Sequence, residues 1–77
     1  MDRDIVGERL RRKRQERDLT QDGLAEAMRQ RGHRNMKQSR ISEIELGKRS
    51  VLPAELIGFS RVLRCRITDL LGVLDSE

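Results

Sequence analysis

The sequence predicts an all-α fold of five short helices. Apolar side chains recur at intervals of three and four residues along most of the chain, which places them on one face of each helix. Glycine, proline and capping residues punctuate these segments where helices start and stop. A chain of 77 residues has room for one small core, so we expect a single domain over residues 1–77.

The first two predicted helices cover residues 4–17 and about 20–31. Each carries a stripe of apolar side chains, namely Ile5, Val6 and Leu10 in the first helix and Leu24, Ala25 and Met28 in the second. Thr20 is a good N-cap for the second helix, and Gly32 can adopt the left-handed conformation that closes it.

A third helix is predicted from about residue 36 to residue 45. Asn35, with Gln38 three residues later, resembles a capping arrangement, and Gly47 ends the helix. At 100° per residue, one side of this helix is apolar and holds Ile41 and Ile44 together with Glu45. The opposite side is polar and consists of Ser39, Ser42 and Glu43, flanked by Gln38 and Arg40.

Two further helices follow the loop GKRSVLP. Pro53 is tolerated in the first turn of the fourth helix, whose apolar positions are Leu56, Phe59 and Leu63. A last apolar run predicts a short final helix and a tail. This run holds more apolar side chains than so short a helix needs, so we expect a homodimer surface made of Ile67, Leu70, Leu71 and Leu74.

The charge distribution favours a polyanionic partner. The net charge is +4, and residues 1–17 and 34–49 each carry +3. A solvated basic surface would give the same totals, so the polar side of the third helix carries more information. Its side chains can enter a DNA major groove, where glutamine pairs with adenine and arginine with guanine.

Other classes of protein are disfavoured by what the chain contains. One cysteine, Cys65, and one histidine, His33, supply neither a disulfide nor a set of metal ligands, and we expect no cofactor. We find no nucleophile with a base and no glycine-rich phosphate loop, which argues against an enzyme. Residues 1–17 lack the apolar stretch of a signal peptide or membrane span, so we expect a cytoplasmic protein without a membrane partner.

Five segments of the chain resemble one known family. They are VGERLRRKRQERDLTQ, DGLAEAM, QSRISEIELGKR, PAELIGFSRVL and ITDLL, which together span residues 6–71. The ordered pair of LTQ followed by LA, with ISxIExGKR after it, is the most specific part. On these motifs the chain resembles the Xre family of lambda-repressor-like helix-turn-helix domains, which includes phage Cro and repressor proteins. The resemblance implies that the third helix docks into the major groove of double-stranded DNA.

The resemblance also implies roles for individual residues. The residues at base-reading positions are Gln38, Ser39, Arg40 and Glu43, with either Lys37 or Gln38 leading into the groove. Gln21 is similar to the family's phosphate clamp, which also braces the first base-reading residue, and Lys48 and Arg49 resemble backbone contacts. We add Arg34 and Ser42 as expected phosphate contacts. Arg14 with Glu45 resembles the family's ion pair between helices 1 and 3, and Glu45 needs a cation at its inward position.

These features predict a Cro-like or phage-type transcriptional repressor that binds a near-palindromic operator as a homodimer, without a small-molecule ligand. The alternative is an antitoxin-type module that neutralises a protein partner and regulates its own expression. The chain departs from the family in one large feature, because the connection between Met28 and Ile41 is about six residues longer than the usual tight turn. We expect a protruding loop there, over residues 32–36.

Overall fold

The computed structural model describes residues 3–72 as five α-helices, with no strand among these residues. The helices are α1 (Arg3–Glu16), α2 (Gln21–Gln30), α3 (Gln38–Glu45), α4 (Pro53–Leu63) and α5 (Ile67–Leu71). The predicted all-α, five-helix fold is confirmed. Leu74, predicted at the dimer surface, lies outside the described residues. None of the five helices has the length and apolar character that a bilayer crossing requires.

The start of α3 differs from its predicted position. The helix begins at Gln38, and Lys37 is an extended N-cap residue with φ −128° and ψ 161°. The capping arrangement predicted at Asn35 is wrong, because Met36 is held by contacts that keep residues 35 and 36 out of the helix. The side chain of Met36 is only 2% exposed, and its carbonyl accepts a hydrogen bond of 2.8 Å from Arg29 Nη1. A tertiary contact therefore overrides the local capping signal.

The core is one cluster to which all five helices contribute. Its largest fully buried side chains are Phe59, Leu10, Leu24, Met28, Met36, Ile41, Ile44, Leu63 and Leu70. Each such side chain stabilises the fold by about 1.5–3 kcal/mol. Cys65 is half-buried against this cluster, and its burial raises the pKa of the thiol. The thiol is therefore even less ionised at neutral pH than an exposed one, as suits a small packing residue.

Gly7 sets how closely α1 approaches α3. A Cβ atom at residue 7 would overlap the carbonyl oxygen of Ile44 and would lie 3.1 Å from that of Glu45. Because both neighbours are backbone atoms, they can move only if the helix moves. The missing side chain thus allows the last turn of α3 to rest directly on α1, which fixes the position of the whole helix.

Replacing Gly7 by alanine should force the two helices apart. We expect Gly7→Ala to destabilise the fold by about 1–3 kcal/mol, the usual cost of overpacking. Gly23→Ala is the matched control, since its Cβ would meet only side-chain atoms and alanine favours a helix by about 1 kcal/mol. Urea unfolding of both variants measures the difference. Equal stabilities would show that α1 and α3 are not in direct backbone contact.

Candidate nucleic-acid interface

The exposed side of α3 is a short polar ridge. Ile41 and Ile44 are fully buried, and the residues on the opposite side are exposed or partly exposed, namely Gln38, Ser39, Ser42 and Glu43. Eight residues give the helix a length of about 12 Å, comparable to the width of a DNA major groove. One helix of this size can therefore reach the edges of only a few base pairs.

A chain of hydrogen bonds fixes the first residue of this ridge. Gln38 Nε2 donates to Gln21 Oε1 at 2.6 Å, and Gln21 Nε2 donates to Glu45 Oε1 at 3.0 Å. Within residues 3–72, Gln38 Oε1 accepts no bond. The amide of Gln38 is therefore oriented by α2 but keeps an acceptor and one N–H available for an outside group.

This chain of hydrogen bonds ends at a buried ion pair between α1 and α3. Arg14 Nε lies 2.7 Å from Glu45 Oε2, and Arg14 Nη2 lies 3.1 Å from Glu45 Oε1. The two side chains are only 11% and 4% exposed, in the arrangement that the sequence analysis expected. Arg14 Nη1 also donates to the carbonyl of Leu19 at 2.7 Å. Both carboxylate oxygens of Glu45 are thus satisfied, as a buried charge requires.

Arg40 occupies a different side of α3 from Gln38. It is about 160° from Gln38 around the helix axis and about 40° from Ile44. Its Nε and Nη2 atoms lie 2.9 Å and 2.8 Å from Glu55 Oε2, and Glu55 Oε1 caps α4 by accepting from the Leu52 N–H at 3.0 Å. The Arg40 side chain is only 22% exposed. The structure therefore holds this predicted base reader against α4, away from the centre of the ridge.

The predicted phosphate contacts are distributed around α3. Gln21 and Ser42 line a groove of about 260 Å³ between α1, α2 and α3. Lys48 and Arg49 follow the C-terminal end of α3, where Arg49 Nε donates to Glu43 Oε1 at 2.8 Å. Arg34 is exposed in the connection before α3, and Lys37 is exposed at its N-cap.

Two residues of this region were missed by sequence reasoning. Arg11 is exposed on α1 and lines the same groove as Gln21 and Ser42. It was visible only as one member of an arginine cluster in the first helix. Glu55 is placed three residues after the N-cap Leu52, which is the position of an acidic capping residue, but the pattern does not reveal its second partner, Arg40.

The residues predicted as a dimer surface do not share one environment. Leu70 is 0% exposed and packs into the core of its own chain, so its prediction as a surface residue is corrected. Ile67 and Leu71 are partly buried against the same core. The apolar excess of the final helix is largely accounted for by packing within the chain, because the core draws on this end helix as it does on the others.

Comparison with protein-family models gives a helix-turn-helix model that matches residues 10–70, from the middle of α1 to α5. Comparisons with curated proteins and with solved structures give no match. The family match covers α2, α3 and the long connection between them.

Removing one partner of the buried ion pair should cost much more than removing both. We expect Arg14→Met to destabilise the fold by about 3–5 kcal/mol, because Glu45 is left charged and buried. A double variant, Arg14→Met with Glu45→Met, should recover most of this loss, since methionine packs without a charge. Denaturant unfolding of the two variants measures the recovery.

The pair Arg12 and Glu8 is the control, because both side chains are more than half exposed on the same helix. Arg12→Met should change stability by less than about 1 kcal/mol. A similar small loss for Arg14→Met would mean that Glu45 is solvated and does not depend on α1.

Proposed function

Since the chain belongs to the Cro/C1-type helix-turn-helix family, we propose that it represses transcription by binding a short operator with α3 in the major groove. Membership of this family indicates a DNA-binding regulator. The more specific proposal rests on one observation, the chain of hydrogen bonds that runs from Arg14 through Glu45 and Gln21 to Gln38. It presents an oriented amide at the exposed start of α3.

Base reading is assigned to the exposed side of α3. An oriented glutamine amide can donate to adenine N7 and accept from adenine N6, which is the pairing that we propose for Gln38. Glu43 can accept from cytosine N4, and Ser39 can bond to several bases. Lys37 precedes them at the N-cap. Arg40 joins this set when its guanidinium leaves Glu55 and reaches a guanine.

We assign phosphate contacts to polar groups beside this ridge and at the two ends of α3. Gln21 and Ser42 line the groove beside α1, and Arg11, which the sequence did not single out, lines the same groove. Lys48 and Arg49 follow the C-terminal end of the helix, and Arg34 precedes its N-terminal end. A helix inserted into the major groove has a phosphate strand on each side, so groups placed in this way can hold it in register.

A helix that reads so few base pairs needs a second copy for specificity. We propose a homodimer on a near-palindromic operator, with half-sites about 34 Å apart, in the cytoplasm. Ile67 and Leu71 remain the candidates for the contact between copies, since they retain exposed surface whereas Leu70 does not.

Gln38→Ala should reduce discrimination between operators and unrelated DNA. We expect a loss of about 1–3 kcal/mol on the preferred duplex, the worth of one bidentate pair, and little change on a scrambled duplex. The control is Gln15→Ala, which removes an exposed glutamine from α1. Fluorescence anisotropy with both duplexes measures the ratio. Equal losses on the two duplexes would exclude Gln38 as a base reader.

The ion pair with Glu55 should compete with DNA for Arg40. Glu55→Gln keeps an oxygen to cap α4 but removes the charge that holds the guanidinium, so we expect tighter operator binding. Arg40→Ala should weaken operator binding by about 1–3 kcal/mol and relax the base choice at one position. Binding-site selection with each variant measures both effects. Weaker binding by Glu55→Gln would show that Arg40 serves to hold α4.

A further inference from the structure

The long connection between α2 and α3, residues 31–37, is firmly attached to the helices around it. Met36 is buried, and Arg29 Nη1 holds its carbonyl at 2.8 Å. The backbone N–H of His33 donates to the carbonyl of Met28 at 3.1 Å, and the N–H of Met36 donates to that of His33 at 3.1 Å. The connection is therefore a turn whose backbone is held in place by hydrogen bonds.

A second attachment joins the connection to α4. A Cβ atom at Gly58 would lie 2.7 Å from His33 Nε2, so the imidazole is seated over this glycine. Gly58 itself is buried in the middle of α4. Because α2 and α4 both hold the connection, the exposed side chains that it carries have a defined position.

The connection carries positive charge that residues 3–72 do not neutralise. Residues 27–42 contain five basic residues and no acidic one. Of these, Arg29 and Arg40 have acidic partners, Glu26 and Glu55. The side chains of the other three residues, Arg31, Arg34 and Lys37, are exposed and make no hydrogen bond or ion pair with the described part of the chain.

Most of the other basic side chains that the structure describes are partnered. Ion pairs hold the basic residues Arg12, Lys13, Arg14, Arg49 and Arg66, and Arg17 donates to two carbonyls. Like charges fixed close together repel one another, so an unneutralised group in a rigid turn suits an anionic partner. The guanidinium groups of arginine match phosphate oxygens in geometry as well as in charge.

The position of the connection suggests where the phosphates lie. It leads directly into Lys37, the N-cap of α3, and so lies beside the end of the helix that we assign to base reading. A groove of about 400 Å³ separates it from the first turn of α4, with Arg34 on one side and Glu55, which is paired with Arg40, on the other. An anionic strand following this groove would pass the exposed guanidinium of Arg34.

We propose that the connection is a second DNA-binding element, which contacts phosphates flanking the base pairs read by α3 through Arg31 and Arg34. This inference rests on the proposed function. It implies a half-site footprint that extends beyond the bases reached by α3 alone. The rigid attachment of the turn means that little conformational entropy is lost when these contacts form.

The test compares two double variants, each of which removes two exposed arginines. The first is Arg31→Gln with Arg34→Gln, and the control is Arg61→Gln with Arg64→Gln at the far end of α4, roughly 15 Å from its first turn. Affinity for a selected operator duplex is measured over a range of salt concentrations. Each lost phosphate contact makes the negative slope of log K against log salt shallower by about 0.9.

We expect the slope to become shallower by about two units for the connection variant and to change little for the control. Trimming the flanking base pairs of the duplex should weaken the wild type and leave the connection variant unaffected. Similar slopes for the two variants would overturn the proposal while operator preference, and hence the proposed function, persists. A wild type without preference for the selected duplex over a scrambled one would overturn both.

Discussion

The structure depends on how one buried carboxylate is satisfied. Glu45 is on the inward side of α3 with 4% of its side chain exposed, and leaving it there uncompensated would cost several kcal/mol. Arg14 from α1 neutralises it and Gln21 from α2 completes its hydrogen bonds. A single charge therefore ties three helices together. The same interaction orients Gln38, because the amide of Gln21 bonds to Glu45 with its nitrogen and to Gln38 with its oxygen.

This arrangement compensates for the weakness of α3 as an isolated helix. Eight residues without a side-chain cap are too few to form a stable helix in water, so packing must supply the stability. Ile41 and Ile44 provide apolar contacts, and Gly7 lets the last turn rest on α1. The packed side and the last turn are thus held by the core, while the first turn keeps its polar groups available. A binding surface on a rigid scaffold is preorganised and loses little entropy on binding.

The sequence was informative where the signal is local or periodic. The five helices, the Thr20 cap and the core position of Phe59 follow from spacing and capping chemistry, and the cap bond to Gly23 is present at 2.9 Å. The sequence was less informative where a contact with a residue distant in the sequence decides the position of a helix end or of a side chain. The burial of Met36 delays the start of α3, and Glu55 captures Arg40 from another helix. A helical projection gives the angle of a side chain, but it does not show which helix lies opposite.

The most direct test of base reading by Gln38 uses an operator in which single adenines are replaced by 7-deazaadenine. This base lacks the N7 acceptor in the major groove but keeps its Watson–Crick pairing and its minor-groove edge. We predict a roughly tenfold loss of affinity at one adenine in each half-site, and no further loss at that position in Gln38→Ala. Binding that is insensitive to every such replacement, but sensitive to changes in the minor groove, would contradict the account.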